Sequence, residues 1–366
     1  MLTDAAGRLI VLGGHGKSQS PEGRPLSEKD DDFADQDGWC DDVGDGPVRA
    51  TVRLTGGPAP GVADPAWLIV APPDFAPPIG NVVTLYDAVY NVMADFDPAL
   101  AVGDASKISF TRDIYPILRR VSYMQWVSSL AAGQHGHGGH NCFIEQLSRL
   151  NSNKPQDSPK RGGIFSALRT PQGTGGDMPK LPPGTDKVPG ASLTPTQYKR
   201  MELWAQGKFD ADWPGAEPAS MPFEALPERD RPQALDRAAL EGCVGGPFFP
   251  GIEASRIVLQ ESTYDRKRPF RINADLPAGA LTAGMAVPWQ SDFHDCSAAE
   301  GADWWPGQRP NQVHRGQQSG VEWVPEDWKR ADMTQSWSKL GFVVERKTAN
   351  QVEYVEDERF VDPPVA

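Results

Sequence analysis

Glycine and proline make up nearly a fifth of this chain, and this density constrains its fold more than any other feature. The 366 residues include 37 glycines and 35 prolines. Proline lacks the backbone donor that helices and sheets use, and glycine weakens the interior of both. We therefore expect short helices and strands joined by long ordered loops.

The remaining composition indicates a folded protein with a substantial core. Hydrophobic residues make up 39% of the chain, and the 11 tryptophans supply buried volume. Apolar stretches between residues 9 and 71 predict strands, and apolar residues at helical spacing in the later segments predict helices. We predict an irregular α+β fold in three parts: a β-rich part over 1–100, a helical segment with a Pro/Gly-rich loop over 101–192, and a mixed helix and strand part over 193–366.

Charge and cysteine usage exclude several classes of function. The net charge of −13 repels phosphate backbones and anionic lipids, so we expect no nucleic-acid partner. No apolar run approaches the ~20 residues that span a bilayer, and the first residues lack a secretory signal. We therefore expect a cytoplasmic protein that binds no membrane. The four cysteines form no CxxC pair and do not resemble a disulfide framework.

Local signals place five elements after residue 80. They are helices over 82–93, 111–132, 195–207 and 232–242, and a C-terminal hairpin of 341–345 with 352–355. The third helix has the clearest ends, with Thr194 as N-cap, Pro195 at its first position and Gly207 after its last turn.

The fourth helix leads directly to Cys243. Leu235, Ala239 and Cys243 follow at intervals of four residues and share one face, which we expect to point inward. Gly245 and Gly246 come directly afterwards and allow the chain to turn sharply. The sequence thus predicts an inward-facing thiol at a helix end.

Residues 151–192 admit two interpretations. The segment is rich in Pro, Gly, Lys and Ser and has no sustained periodicity. It is either a flexible linker or an ordered crossing loop that walls a pocket, because long loops inside compact proteins are often functional. The residue pattern does not decide between them.

The segment from His135 to Cys142 gathers three histidines and one cysteine within eight positions. Imidazole and thiolate ligands suit zinc or copper. The glycines between them give no fixed helical spacing, however, and no acidic general base lies within the motif. We therefore expect a flexible or pocket-lining loop and no metal site, with structural or catalytic metal binding as the alternatives.

Cys243 and Trp305, together with the segments 244–253 and 303–313 around them, resemble the residues that form the cofactor of one oxidase family. Further segments similar to this family run in family order across nearly the whole chain: 7–14, 37–47, 67–75, 83–87, 110–118, 285–292 and 337–342. On these segments the chain is identified as a member of the cysteine tryptophylquinone oxidases, the family of lysine ε-oxidase and glycine oxidase.

The resemblance implies an amine or amino-acid oxidase that makes its own cofactor. In this family a cysteine sulfur is bonded to an oxidised tryptophan ring, and the ring takes electrons from a primary amine. Water and O2 complete the cycle and give an aldehyde or oxoacid, ammonia and hydrogen peroxide. The resemblance places the cysteine tryptophylquinone on Cys243 and Trp305. Trp305 is preferred to Trp304 because the family motif has tryptophan directly before proline, and Pro306 follows here.

The resemblance also implies an aspartate beside the cofactor. Family members carry Asp four residues before the cysteine, where it assists oxidation of the tryptophan, but here that position is Ala239. Asp236 lies roughly 10 Å from Cys243 along the helix, which is too far for direct proton transfer. The candidates to replace it are Asp292, Asp295 and Asp303, and we take Asp292 as the catalytic residue.

Other site residues follow from the family pattern or from residue type. The family places a His or Cys near the quinone from a loop upstream of the cross-linked cysteine, which makes His140 and Cys142 catalytic candidates. Arg169 and Arg256 are candidates for holding a substrate carboxylate, on residue type alone.

The family sets further expectations for the whole protein. Its members are longer than this chain, so that 1–100 would be the remainder of their N-terminal domain and 193–366 the cofactor-bearing domain. The implied partners are a small amine or amino-acid substrate, O2, a flavoprotein that matures the cofactor, and a second copy in a homo-oligomer. Two alternatives stay open: a relative without the cofactor that has a structural or binding role, and a metal-binding protein built on the loop of His135 to Cys142.

Overall fold

The structure is a computed structural model whose described part lies mostly between residues 81 and 283. The described residues are 2–3, 9–11, 13, 18–25, 36, 38–51, 55–57, 66–70, 81–124, 133–178, 192–219, 221–246, 257–267, 270–283, 312–315, 318–322, 342–347 and 352–357. They form a mixture of short helices and short strands, which confirms the predicted α+β class.

The helices of the described residues are short, as the glycine and proline density predicts. They are α1 (Leu85–Phe96), α2 (Tyr115–Tyr123), α3 (Leu147–Leu150), α4 (Ser158–Ser166), α5 (Pro195–Ala205) and α6 (Arg231–Glu241). None of them is long and apolar enough to cross a membrane.

The described strands pair two by two rather than in one large sheet. The pairs are β1 (Leu2–Thr3) with β2 (Leu9–Ile10), β3 (Gly44–Val48) with β4 (Ala66–Val70), β5 (Val83–Thr84) with β8 (Val244–Gly246), β6 (Ile108–Ser109) with β7 (Phe209–Asp210), β9 (Gln312–Arg315) with β10 (Gln318–Glu322), and β11 (Phe342–Lys347) with β12 (Val352–Asp357). The pair β6–β7 is parallel and the others are antiparallel. The antiparallel pair β11–β12 confirms the predicted C-terminal hairpin.

The helix signals located the ends of α5 correctly but missed the start of α1. In α5, the Thr194 side chain accepts from the Gln197 N–H, the Gln197 side chain accepts in return from the Thr194 N–H, and Gly207 follows with φ +79°. Helix α1 begins three residues later than predicted, because Thr84 forms the same kind of capping box with Asp87.

The predicted helix over 111–132 is confirmed only in its first half. It starts with a π-helical turn at Phe110–Ile114 and continues as α2, whose apolar side is buried. Residues 125–132 lie outside the described part.

Two hydrophobic cores organise the described residues. The larger one joins α2, α5 and the loop between α2 and α3, and its most buried members are Phe110, Ile114, Leu118, Leu150, Leu203 and Trp204. The smaller one packs α1 against residues 258–272 and includes Val89, Val92, Met93, Val258 and Tyr264. Residues from all three predicted parts share these cores, while the three-part division itself stays a prediction.

A buried arginine connects α4 to α5. Arg161 is 1% exposed, and its Nε donates to the Trp204 carbonyl over 3.1 Å. Its guanidinium also donates to the Ser152 carbonyl and lies 5.6 Å from the centre of the Phe209 ring. Because these partners are neutral carbonyls and a ring, burial lowers the pKa of Arg161.

Asp45 attaches the N-terminal strands to a distant turn. One carboxylate oxygen accepts from the Leu281 N–H over 3.0 Å and from the Thr282 N–H and hydroxyl over 3.0 and 2.8 Å. The other accepts from the Trp67 indole over 3.0 Å. One aspartate therefore links β3 and β4 to residues more than 230 positions later.

Candidate active site

Cys243 lies where α6 ends and β8 begins, against the first turn of α1. Its N–H donates to the Leu240 carbonyl over 3.3 Å, and its own carbonyl accepts from the Leu85 N–H over 2.9 Å. The residue is half-buried and forms no disulfide. We call residues 83–87 and 240–246 the Cys243 junction; it fixes the cysteine backbone from both sides and leaves the side chain partly uncovered.

Gly245 allows the two strands of the junction to approach each other. Strands β5 and β8 pair antiparallel with an irregular register. A Cβ on Gly245 would overlap the Thr84 carbonyl and lie 2.7 Å from the Leu85 nitrogen. Because these are backbone atoms, they cannot move aside as a flexible side chain can. Only glycine therefore fits at this position.

A buried ion pair anchors the α1 side of the junction. One carboxylate oxygen of Asp87 accepts from the Thr84 N–H over 3.0 Å, from the Thr84 hydroxyl over 2.9 Å and from Arg120 over 2.7 Å. The Asp87 and Arg120 side chains are each 11% exposed. The first turn of α1, which donates to the Cys243 carbonyl, is thus held from its own cap and from α2.

Tyr86 of α1 contacts both α6 and the segment that contains Phe270. The Tyr86 ring stacks on Phe270 with centroids 5.5 Å apart, and the Arg237 guanidinium lies 4.9 Å from the Tyr86 centroid. Arg237 also pairs with Glu241 at 2.8 Å. Phe270 adopts φ +64°, a conformation that residues with a side chain rarely take. Burial raises the pKa of Tyr86, so its hydroxyl stays protonated at neutral pH.

The predicted inward face of α6 is wrong. Leu235 is 56% exposed and Ala239 is exposed as well. The contacts with α1 and the smaller core come instead from Leu240 and Arg237. The helix is therefore rotated relative to the prediction. The long side chain of Arg237 packs on Tyr86, and this contact outweighs the burial of Leu235 and Ala239.

The carboxylates near the end of α6 differ from those the family pattern leads one to expect. Position 239 holds alanine and offers no acid. Asp236 lies 3.9 Å from Arg271, and burial raises the pKa of its carboxyl group. Sequence reasoning gave no role to Glu241, two residues before Cys243. Trp305 and the three later aspartates, Asp292, Asp295 and Asp303, lie outside the described residues.

His140 and Cys142 lie in a loop of their own between α2 and α3. His140 is exposed, and its carbonyl accepts from the Gln146 side chain over 2.9 Å. Cys142 is fully buried, and burial together with the nearby Glu145 carboxylate raises the pKa of its thiol. The catalytic role expected for these two residues stays a prediction.

A cavity of about 480 Å³ lies beside this loop. Its apolar lining comes mainly from α2, α4 and the turn after α4, and its polar lining residues are Gln134, His135, Asn141, Lys160 and Asp177. Residues 155–178 are ordered, and α4 and the turn after it form one side of the cavity. Of the two interpretations of 151–192, the ordered pocket wall is therefore correct for the described part, but its description as a loop is wrong at Ser158–Ser166, which form helix α4.

His135 is a cavity residue to which sequence reasoning assigned no role of its own. It is 5% exposed, and its Nδ1 lies 3.0 Å from the Asn141 carbonyl. Since a carbonyl only accepts, Nδ1 carries the proton and Nε2 has none; within the described residues Nε2 has no hydrogen-bond partner. Burial lowers the pKa of His135 and keeps the ring neutral.

Of the two arginines proposed for substrate binding, the structure describes Arg169 and not Arg256. The Arg169 backbone N–H donates to the Met178 carbonyl over 2.7 Å, which places it in the turn after α4. Arg256 lies outside the described residues. Their role in binding a carboxylate stays a prediction.

Comparison with known proteins identifies one family. Residues 1–70 match the family model of the L-lysine epsilon oxidase N-terminal domain, and residues 172–323 match that of its C-terminal domain. The L-lysine 6-oxidase of Marinomonas mediterranea is 28% identical over 357 aligned positions, which cover 81% of this chain and 46% of that protein. This chain thus spans less than half the length of that curated relative.

Solved structures share the fold. A structure of the epsilon-lysine oxidase of Marinomonas mediterranea superposes with a TM-score of 0.71 at 21% identity, over 98% of this chain and 68% of that one. A structure of the Schiff base intermediate of the same bacterium's L-Lys epsilon-oxidase with L-Lys gives 0.67 at 21% identity, over 88% and 64%. Cys243 and Trp305 both fall within the region that matches the C-terminal family model. This chain belongs to the L-lysine ε-oxidase family.

Proposed function

We propose that this protein is an O2-dependent amine oxidase. It converts a primary amine, O2 and water to an aldehyde or oxoacid, ammonia and hydrogen peroxide. Membership of the L-lysine ε-oxidase family supports this class of reaction. The observation that carries the proposal is Cys243, a half-buried cysteine outside any disulfide whose backbone is fixed on both sides.

Cys243 and Trp305 are the residues that would hold the cofactor, a cysteine tryptophylquinone. Cys243 fits this role because its sulfur is neither in a disulfide nor fully buried. Trp305 lies outside the described residues and enters through the family pattern. When formed, the group supplies an electrophilic carbonyl and accepts two electrons from the amine, which pass to O2.

The chain itself sets the position of the sulfur. The hydrogen bonds of Cys243 to Leu240 and Leu85 and the close approach at Gly245 fix the cysteine relative to α1. A group held in place before reaction pays less entropy when a bond to it forms. We infer that the junction orients the thiol for its bond to the tryptophan ring.

The group that takes the substrate proton is proposed from residues outside α6. His140, Cys142 and Asp292 remain our candidates. Ala239 has no carboxylate. Asp236 lies further from Cys243 along the helix and pairs with Arg271. We further propose that the enzyme is a homo-oligomer, that a flavoprotein matures its cofactor, and that its substrate is a small amine or amino acid.

Ala239 also favours a second candidate function. A chain without the carboxylate that assists tryptophan oxidation would keep the family fold but lack the cofactor. Such a protein would have a structural or binding role. The two candidates differ in covalent chemistry and in colour, so one experiment separates them.

The test is the visible spectrum and amine-dependent peroxide release of the purified protein, expressed with and without a flavoprotein of the kind that matures this family's cofactor. We expect quinone absorbance and peroxide only after co-expression, and neither in Cys243→Ser. Cys40→Ser, which removes an exposed thiol elsewhere, should behave as wild type. A folded wild-type protein without chromophore in both conditions would establish the cofactor-free relative.

A further inference from the structure

Three side chains that are spread over nine positions meet in the loop between α2 and α3. A ring nitrogen of His137, the Sγ of Cys142 and a carboxylate oxygen of Glu145 all lie within 4.8 Å of one another. Glu145 comes three residues after Cys142, in the 3-10 turn Phe143–Gln146. The motif of His135 to Cys142 stops short of this carboxylate, which is why the sequence alone offered no acidic partner.

Local hydrogen bonds hold the three donors in place. One carboxylate oxygen of Glu145 accepts from the Gly138 N–H over 3.1 Å and lies 3.1 Å from the His137 Nδ1. The Gln146 amide donates to the Cys142 carbonyl over 3.1 Å. Gly138 adopts φ +75°, a conformation that suits glycine and closes the loop over the glutamate. The loop is therefore organised around the carboxylate.

The cluster has one buried side and one open side. Cys142 is 0% exposed, whereas the His137 and Glu145 side chains are 49% and 45% exposed. A cation can reach the cluster from solvent, and water can complete its coordination. The sulfur, on the buried side, is the deepest of the three donors.

The donor set selects the class of ion. Sulfur and imidazole nitrogen are poor ligands for calcium and magnesium, which take oxygen. One thiolate, one imidazole and one carboxylate suit zinc, whose bonds of about 2.0–2.3 Å put tetrahedral ligands roughly 3.3–3.7 Å apart. Side-chain movements of about 1 Å would therefore bring the three donor atoms from their observed separations to those of a tetrahedral zinc site.

We propose that His137, Cys142 and Glu145 bind one Zn2+ ion, with water as the fourth ligand, and that the ion fastens the cavity-lining loop. His135, Asn141 and Phe143 of the same loop line the cavity. Zinc binding releases the thiol proton of Cys142 to solvent and forms a zinc–sulfur bond without any change of oxidation state. With zinc bound, Cys142 is a metal ligand, and His140 and Asp292 remain the candidates for the group that takes the substrate proton.

The direct test is zinc stoichiometry of the reduced, full-length protein. The protein is freed of metal with a chelator, incubated with ZnCl2, desalted and assayed for bound zinc. We expect one ion per chain, bound with an affinity that falls at least about 100-fold in His137→Ala and in Glu145→Gln, since even residues that only orient a ligand contribute 10–100-fold. Both side chains are half-exposed, so these variants should fold.

The loop offers a matched control. His140→Ala removes an exposed histidine of the same glycine-rich loop that lies outside the cluster, and it should bind zinc as tightly as wild type. Cobalt gives a second readout: the Co2+-loaded protein should show a thiolate charge-transfer absorption that is lost in Cys142→Ser and kept in Cys40→Ser and Cys243→Ser.

Two results would overturn the proposal. One is a wild-type protein that retains no zinc after desalting. The other is zinc affinity that falls as much in His140→Ala as in His137→Ala, which would indicate unspecific binding by the histidines of the loop. Neither readout depends on the quinone, so the outcome is independent of whether the protein is an oxidase.

Discussion

The Cys243 junction and the loop that lines the cavity are built in opposite ways. At the junction, the Leu85 N–H meets the Cys243 carbonyl, and Gly245 fits against Thr84, across more than 150 positions of sequence. In residues 133–146, the main polar contacts join residues four to eight positions apart. The position of the junction thiol depends on the whole fold, whereas the loop carries most of its own order.

This difference has a consequence for where each function resides. A cross-linked cofactor needs two distant segments at a fixed distance, so a site built by long-range backbone pairing suits it. The loop, by contrast, supplies the three metal donors from within nine positions of sequence. Changes at the junction should therefore lower global stability, while changes in the loop should act locally.

Gly245→Ala should have the largest effect. The new methyl group would overlap the backbone of Thr84, and separating β5 from β8 would cost about 4 kcal/mol of unfolding free energy or more. Thermal and urea unfolding measure this loss. The matched control is Gly242→Ala, where a Cβ meets its nearest atoms at an ordinary 3.6 Å and should change stability little. Equal stability of the two variants would contradict the close packing of the junction.

Arg161→Met should follow, because this residue is a long-range anchor of the cavity side. The change keeps an apolar stem but removes the arginine donor from the Ser152 carbonyl and from the Trp204 carbonyl, which keeps only the Gly207 N–H and its own helix end, at a cost of about 3 kcal/mol. Arg149→Met, at a 58% exposed arginine that pairs with Asp157, should cost less than about 1 kcal/mol. Similar unfolding midpoints for both would show that Arg161 does not join α4 to α5.

Asp87→Asn tests the ion pair beneath the junction. It leaves the 11% exposed Arg120 without its counter-charge and weakens the cap of α1, with an expected loss of about 2 kcal/mol. Asp95→Asn makes the same change on the exposed side of α1 and should be nearly neutral. Urea unfolding at constant pH compares the two variants. An unchanged free energy of unfolding in Asp87→Asn would mean that the ion pair with Arg120 does not hold α1.

The smallest effect concerns pH and the cavity loop. Burial lowers the pKa of His135, so the folded protein binds the proton less readily than the unfolded chain, whose histidine titrates near 6.5. The stability contributed by neutral His135 is present above about pH 6.5 and is lost as the pH falls through the lowered pKa. Between about pH 7.5 and 5.5, wild type should therefore lose more stability than His135→Gln.

The control for this pH effect is His140→Gln, at an exposed histidine of the same loop. Its unfolding free energy should follow the wild-type pH dependence. If His135→Gln keeps the full wild-type dependence and His140→Gln loses it, the assignment of a buried neutral imidazole to His135 is wrong.

Local capping could be read from the sequence, and tertiary packing could not. Thr194, Pro195 and Gly207 fixed the limits of α5 because caps and turns depend on adjacent residues. The inward face assigned to Leu235 and Ala239 was wrong because the contact of Arg237 with Tyr86 joins segments far apart in sequence. Periodicity within one helix carries no information about such a partner.

The same limit applies to the two sites. Cys243 was found through its neighbours in sequence, but the role of Gly245 as a contact for Thr84 appears only when β5 is in place. Glu145 was missed because it joins His137 and Cys142 through a 3-10 turn that no apolar pattern announced. A search for acidic residues a few positions beyond the histidine motif would have found it.

Peptide mapping by mass spectrometry shows directly whether Cys243 and Trp305 are joined. The protein, co-expressed with the flavoprotein, is digested and searched for a species that contains both Cys243 and Trp305. We expect one covalently joined peptide pair with the mass of a thioether and an oxidised tryptophan ring. Separate peptides of unmodified sequence mass, from protein that is folded, would contradict it.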